Sequence, residues 1–446
     1  MHTVIIGNGI SGTTAARFIR KWSDHPVTLI SSESPYFFSR TALMYVYMGH
    51  LRQKDTQPYP PDFWKKNRIH LIQAHVTSLD IAHKLLQLDN GQSLAYDKLV
   101  VATGSVSNFF NWPGQELKGV RGLYSLQDLE YIETYSKELT HAVVVGGGLI
   151  GIELAEMFHS RNIQVTFLVR EKSYWDHVLA PEESAMVNRH IRENGIDLQT
   201  ETSLKAILDD GKGQVKAVLT DTGETIPCGF VGITAGVRPN IDWLKTSPLE
   251  IERGILVDAF LQTNIPDVYA IGDCAQLRQP QPGRQAIEAV WYTGRMMGET
   301  LAYNICKGPL AYNPGVWFNS AKFFHLEYQV YGQVPASLPP DQDTLYWEHP
   351  DGKKSIRINF DKSSQAVTGF QTMGIRFRQE VCEKWLANRT PLDEVLPKLA
   401  LANFDPEFYR RYETQVVQLY NHRFHKNLPL QSPRNILDKV LQFLKN

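Results

Sequence analysis

Cysteine is scarce in this chain: there are four in 446 residues. Cys228, Cys274, Cys306 and Cys382 are widely separated, with no C-x-x-C and no metal-ligand spacing. The spacing disfavours a dithiol relay, and all four are expected as small buried thiols. The 14 histidines show no metal-type clustering either. An excess of one charge is also missing. The net charge is −1, which gives no support for nucleic-acid binding or a basic membrane face. No apolar run is long enough to span a bilayer. A leader peptide is not expected, because an apolar strand and a glycine turn begin at Thr3. The expected location is the cytoplasm. At 43% hydrophobic and 21% charged residues, the composition is that of an ordinary globular protein of about two to four domains.

The chain is organised around Thr3 to Arg20. Val4, Ile5 and Ile6 form a short apolar run suited to a buried parallel strand. Gly7, Gly9 and Gly12 follow in G-x-G-x-x-G spacing, and Ala15, Ala16, Phe18 and Ile19 continue at helical spacing. In such a unit the first glycine makes a tight turn and the second lets a pyrophosphate approach the backbone. The third lets helix and strand pack closely. The helix N-terminus then offers free N–H groups to phosphates. Val27 to Ile30 read as the next strand, ending near Glu33, where a carboxylate meets the ribose hydroxyls of a dinucleotide. A solvated loop acid is the alternative for Glu33.

A second copy lies about 140 residues on. His141 to Val145 is an apolar strand, Gly146-Gly147-Gly148-Leu149-Ile150-Gly151 the turn, Ile152 to Ser160 a helix and Gln164 to Val169 the next strand. Two matches in the right context are far more specific than one.

Between and after these units the pattern predicts several elements. They include a short helix at Asp62 to Lys66, strands at Ile69 to Ala74 and Lys98 to Ala102, and a hairpin over Val76 to Leu88 turning near Asp89-Asn90-Gly91. A helix is expected over Ser125 to Glu138 and another over Glu182 to Glu193. Short strands with turns at Asp210-Gly211 and Thr222-Gly223 follow, and a long helix from Ala286 to Ile305. From Tyr312 the character changes. Leu326 to Tyr331, Thr344 to Trp347, Ser355 to Phe360 and Ala366 to Gln371 read as an antiparallel sheet, followed by helices from about Arg376.

Five motifs in order are similar to the FAD-dependent pyridine nucleotide-disulfide oxidoreductases. They are the first glycine turn, Val100-Val101-Ala102-Thr103-Gly104, GGGLIGIELAE, Thr234-Ala235-Gly236-Val237-Arg238-Pro239-Asn240, and Thr263 to Asp273. The resemblance spans residues 1 to about 333. Tyr36-Phe37-Phe38-Ser39-Arg40 and Val316-Trp317-Phe318-Asn319-Ser320 are most similar to the ferredoxin, rubredoxin and nitrite reductase flavoprotein branch and to apoptosis-inducing factor.

The resemblance implies an α/β fold with two Rossmann-like dinucleotide-binding domains, glutathione reductase-like, and an α+β C-terminal domain. Residues 1–115 with 240–312 would form a discontinuous FAD-binding domain, 116–239 the NAD(P)H-binding domain and 313–446 the C-terminal domain. FAD would lie over Gly7, Gly9, Ile10, Ser11, Gly12, Glu33, Arg40, Val76, Ala102, Thr103, Gly104, Gly272, Asp273 and Trp291. Asp273 would bond the ribityl chain, a local turn role being compatible. Arg40 would face the pyrophosphate and flavin edge, or else be a surface arginine. Trp291 and Trp317 would wall the flavin, or else be core aromatics. NAD(P)H would lie over Gly146, Gly148, Leu149, Ile150, Gly151, Glu153, Arg170 and Gly236.

Glu153 would stand near the nicotinamide, where relatives pair it with a lysine. Tyr45 occupies that lysine's place here, a departure from the family, and Glu153 and Tyr45 are the candidate catalytic residues. Arg170 could meet a 2′-phosphate, and Glu171 could take the ribose hydroxyls instead; NADH is slightly favoured. Phe37 to Leu43 contains no cysteine, which disfavours thiol and disulfide substrates and peroxide reduction through a sulfenic acid.

The function implied is hydride transfer from NAD(P)H to FAD, then electron transfer to a small redox protein such as a ferredoxin or rubredoxin. An NADH oxidase or quinone reductase with a small acceptor is one alternative. A redox-dependent interaction protein like apoptosis-inducing factor is another. Arg376, Arg378, Arg410 and Arg411 are either a docking patch or scattered solvated charge. Ile436, Leu437, Val440, Leu441 and Leu444 mark an amphipathic terminal helix expected to pack on its own core.

Overall fold

Thr3, Val4, Ile5 and Ile6 are all buried, so the strand Thr3–Ile6 is covered on both faces. The computed structural model, which describes residues 1–404 and 410–429, places it at the centre of a five-stranded parallel sheet. The order is Val268–Ala270, Lys98–Val101, Thr3–Ile6, Val27–Ser31, Ile69–Gln73. Helices Ile10–Trp22 and Trp291–Cys306 pack together beside it. Gly298 permits the approach: a Cβ there would lie 2.5 Å from the Ser11 carbonyl oxygen.

The second glycine unit builds its own parallel sheet. Gln164–Leu168, His141–Val145, Phe230–Ile233 and Val120–Arg121 lie side by side, with helix Leu149–Ser160 packed against the first three. Antiparallel Leu204–Asp209, Val215–Thr220 and Thr225–Pro227 form a separate three-stranded sheet. The architecture is the mixed α/β one with Rossmann-like parallel sheets and a sheet-rich C-terminal region.

By contacts, the chain divides into two units, Met1–Leu168 with Thr202–Pro314, and Val169–Glu201 with the described residues from Gly315 onward. The second unit contains a five-stranded antiparallel sheet ordered Phe318–Phe323, Leu326–Gly332, Val367–Met373, Ser355–Asp361, Gln342–Glu348. Its core joins Ile358, Phe370, Trp385, Leu399, Val416 and Tyr420. Helix Pro181–Glu193 is tied to this sheet by a buried ion pair. Arg357 Nε and Nη2 donate to both oxygens of Glu183 at 2.8 Å, and Nη2 also reaches Glu182 at 2.6 Å.

Some elements differ from the sequence expectation. The helix expected from Ala286 begins at Trp291. Leu277 N–H donates to the Ala286 carbonyl, and Arg284 and Glu288 form an ion pair with both side chains under a tenth exposed. The bond to Leu277 takes the Ala286 carbonyl outside any helix and so overrides the helical propensity of Ala286 to Ala289. The helix after the second turn starts at Leu149, three residues earlier than expected. The Val76–Leu88 stretch holds an extra turn of its own, because Asp80 accepts from the His83 N–H and breaks the run. A third strand, Ser93–Ala95, follows the turn at Asp89 to Gly91. The C-terminal sheet gains Phe318–Phe323 as an additional strand. Cys228, Cys274 and Cys382 are buried, whereas Cys306 is half-buried near the end of its helix. The amphipathic stretch at 436–444 lies outside the described residues.

Candidate functional site

The two glycine turns are built by the same bonds. Gly7 N–H donates to the Ile30 carbonyl at 2.8 Å, and Gly146 N–H to the Leu168 carbonyl at 3.0 Å, each the neighbouring strand of its sheet. Ala102 N–H donates to Ile6, and Thr234 N–H to Val145, both at 2.8 Å. Gly7 and Gly146 have φ of +112° and +116°. A Cβ on Gly7 would lie 2.1 Å from the Ala102 oxygen, and one on Gly146 2.6 Å from the Thr234 oxygen. Glycine is required at both by the protein's own backbone.

Gly9 and Gly148 differ. Their φ values, −66° and −103°, suit any residue. A Cβ on either would meet nothing within 4 Å. Neither conformation nor internal packing asks for glycine, so the open space in front of each helix N-terminus fits a group from outside. The backbone approach of a pyrophosphate is the fitting group. Ile10 and Ser11 open the first helix, and Leu149 and Ile150 the second. Gly12 and Gly151 bring each helix to within 2.0 and 2.3 Å, measured from an added Cβ, of the carbonyl oxygens of Gly7 and Gly146.

Around the first turn, distant segments converge. Arg40 donates to both oxygens of Glu33, at 2.8 and 2.6 Å, and to the Tyr124 carbonyl at 2.5 Å. Glu33 also accepts the Leu126 N–H at 2.9 Å. Arg40 is therefore a half-buried, paired cation. Its guanidinium lies 4.5 Å from the Tyr124 ring centroid and 5.3 Å from that of Phe38. Asp273 accepts from Ser105 Oγ at 2.9 Å and from the Tyr124 hydroxyl at 3.5 Å; burial pushes its carboxyl up. Gly272 lies beside Ser11, since a Cβ on it would meet Ser11 Oγ at 2.4 Å. Thr103 Oγ1 donates to the Asn240 carbonyl, and Asn240 N–H to Gly104, tying the two chain crossings together. Val76 is a core residue paired opposite Leu88. Trp291 is the first helical residue and 36% exposed.

Glu153 is half-buried on the second helix. Burial, and then the neighbouring Glu156, push its carboxyl up to about 7. Tyr45 is half-buried with its ring stacked on His50. The helix Leu43–Tyr47 that carries it packs on Leu149–Ser160. Tyr47 lies in that contact, its ring edge-on to Phe158 at 6.2 Å, while its hydroxyl donates to Ser136 at 2.8 Å and Arg161 sits 3.5 Å from its ring centroid. Gly236 has φ +89° and accepts the Asn108 N–H. Arg170 is 80% exposed and paired with Glu171 at 3.0 Å. Trp317 precedes the first C-terminal strand and accepts the Gly332 N–H at 2.7 Å. Arg376 is paired with Glu327. Tyr124 and Ser105 lie outside the motifs. The only sequence signal is that Ser105 continues the Thr103-Gly104 turn.

Among the described residues, no cluster of histidine, cysteine, aspartate or glutamate could hold a metal, and no helix is long and apolar enough to cross a membrane. The family described as pyridine nucleotide-disulphide oxidoreductase matches residues 1–298. The chain is similar to the rubredoxin-NAD(+) reductase of Pseudomonas putida, 26% identical over 69% of this chain and 80% of that one. It is also similar to the nitric oxide reductase FlRd-NAD(+) reductase of Escherichia coli K12, 32% identical over 64% of this chain and 75% of that one. Among solved structures, an NAD-dependent persulfide reductase from A. fulgidus matches with a TM-score of 0.83 at 24% identity. The match covers 95% of this chain and 84% of that one, and it shows the shared fold.

Proposed function

The chain belongs to the pyridine nucleotide-disulphide oxidoreductase family, and from that premise we propose how its residues serve the reaction. It is an FAD-dependent NAD(P)H oxidoreductase that passes electrons to a small protein acceptor of the ferredoxin or rubredoxin type. The relatives named as rubredoxin and FlRd reductases support this reading. The single observation that carries it is the duplicated turn with open space at Gly9 and at Gly148. When bound, the two nucleotides supply the redox chemistry, hydride leaving the nicotinamide for the flavin and electrons leaving the flavin for the acceptor.

The protein's part is placement. The first turn, Thr103-Gly104 and Asp273 would hold FAD in a domain of residues 1–115 and 240–312. The second turn and Gly236 would hold NAD(P)H in residues 116–239. The described residues from 313 onward would form the α+β C-terminal domain. Holding both nucleotides in fixed register supplies most of the catalytic advantage such a protein can offer. Glu153 would stand at the nicotinamide end, beside the helix that carries Tyr45. NADH is the proposed donor, a choice supported by the relatives named as NAD(+) reductases. The cytoplasm is the proposed location.

Anaerobic reduction with NADH, followed by mixing with ferredoxins, rubredoxins, quinones or oxygen, tests the assignment. Protein acceptors should reoxidise the flavin much faster than oxygen does. Fast oxygen turnover with no response to any protein acceptor would make it an oxidase instead.

A further inference from the structure

We propose that Tyr124 is a positioning residue of the FAD site, holding Arg40 through its ring and carbonyl and Asp273 through its hydroxyl. The inference rests on the reading of that site given above. Tyr124 touches three segments far apart in sequence. Arg40 comes from the loop after the second strand, Ser105 from just after the second motif, and Asp273 from the last motif. Its hydroxyl accepts the Ser105 N–H at 3.0 Å and faces the Asp273 carboxylate at 3.5 Å. Its ring lies against the Arg40 guanidinium at 4.5 Å. Its carbonyl takes an Arg40 N–H at 2.5 Å.

The chemistry of each contact favours this role over that of a filler aromatic. A filler aromatic is buried among apolar groups, whereas Tyr124 meets a cation, a carboxylate and a backbone donor. Burial, and then the charge of Asp273, push its hydroxyl up to about 12, so the phenol stays a donor toward Asp273 at neutral pH. Arg40 is drawn out of water by Phe38 and Tyr124, and the ring face and Glu33 together replace its hydration. Tyr124 also covers Gly104, whose added Cβ would lie 3.1 Å from the hydroxyl oxygen. One side chain thus sets the relative position of Arg40, of the Thr103-Gly104-Ser105 turn and of Asp273. It lies in the segment that opens the 116–239 region, so it also ties that region to the first turn's surroundings.

The variants Tyr124→Phe, Tyr124→Leu, Ser105→Ala and Tyr124→Phe/Ser105→Ala separate the contacts. The readouts are the FAD dissociation constant of full-length apoprotein, the shape of the bound flavin's visible absorption, and thermal unfolding without FAD. Tyr124→Phe should weaken FAD about three- to tenfold with little change in the FAD-free unfolding temperature. Tyr124→Leu should weaken it further and alter the absorption band, because the ring's contact with Arg40 is lost as well. Tyr124→Phe and Ser105→Ala act on the same Asp273 oxygen, so the double variant should lose less than the product of the singles. Should Tyr124→Leu fail to fold, the Phe and Ser105 variants carry the test. FAD affinities within about twofold of wild type for both Tyr124 variants would overturn the proposal. So would single effects that multiply. Wild-type protein that takes up no FAD would overturn the reading of the site, and this inference with it.

Discussion

Glu153 shows how a single residue can report on the site. Its carboxyl titrates near 7 because burial and Glu156 disfavour the charged form. In the unfolded chain it ionises at the ordinary carboxylate value, so between that value and about 7 the native state holds a proton the unfolded state has lost. Native stability therefore falls as pH rises through this window, and the penalty is complete above it. Replacing Glu153 by Gln should stabilise the protein by on the order of 1–3 kcal/mol at about pH 8 and by almost nothing at about pH 4. Urea unfolding at both pH values checks this. An equal effect at both would remove burial as the cause. The open glycines make a second prediction at this scale. Gly9→Ala and Gly148→Ala should each leave the unfolding midpoint of the nucleotide-free protein nearly unchanged, because nothing lies within reach of the new methyl. Gly9→Ala should weaken FAD and Gly148→Ala should weaken NADH, read by titration of the two nucleotides separately. Glu33 could be proposed from its place after the second strand, and Arg40 and Asp273 from the motifs that contain them. Tyr124 could not, since its importance exists only once Arg40, Ser105 and Asp273 have been brought around it.

At the scale of elements, apolar runs ending in glycine turns were readable because a buried parallel strand has to be apolar at every position. Thr3–Ile6 and His141–Val145 are of this kind. Ala286 to Val290 is not helical because the Ala286 carbonyl is bonded to Leu277, nine residues back, a partner that leaves no trace in the local pattern. The same logic applies to helix Pro181–Glu193, whose hold on the C-terminal sheet depends on Arg357. Glu183 is fully buried and Arg357 nearly so. Arg357→Leu strands the Glu183 carboxylate and should cost about 3–5 kcal/mol, measured by denaturant unfolding. Adding Glu183→Leu to that variant should recover most of the loss, since an apolar pair of similar size avoids desolvating charge. No recovery would mean that packing, not charge, is what Arg357 contributes.

For the whole molecule, the repeat of strand, turn and helix was the most legible feature, and the structure repeats it down to the individual bonds of Gly7 and Gly146. The division of the chain was less so, because Val169–Glu201 groups by contacts with the C-terminal residues although it directly follows the second sheet's strand. Thiols should be bystanders at this scale. Burial pushes Cys228 up to about 12 and raises Cys274 and Cys382 as well, leaving half-buried Cys306 as the expected site of alkylation. Alkylated protein should keep its full rate of reduction by NADH. Loss of that rate on modification would assign a thiol to the reaction.

Whether two separate turns hold two dinucleotides is decided by anaerobic titration of the purified, FAD-reconstituted protein with NADH. We expect one FAD per chain, bleached by one equivalent of NADH. Gly148→Ala should retain the FAD but need far more NADH to bleach it. Protein that stays colourless after reconstitution, or whose flavin does not respond to NADH, would contradict the account.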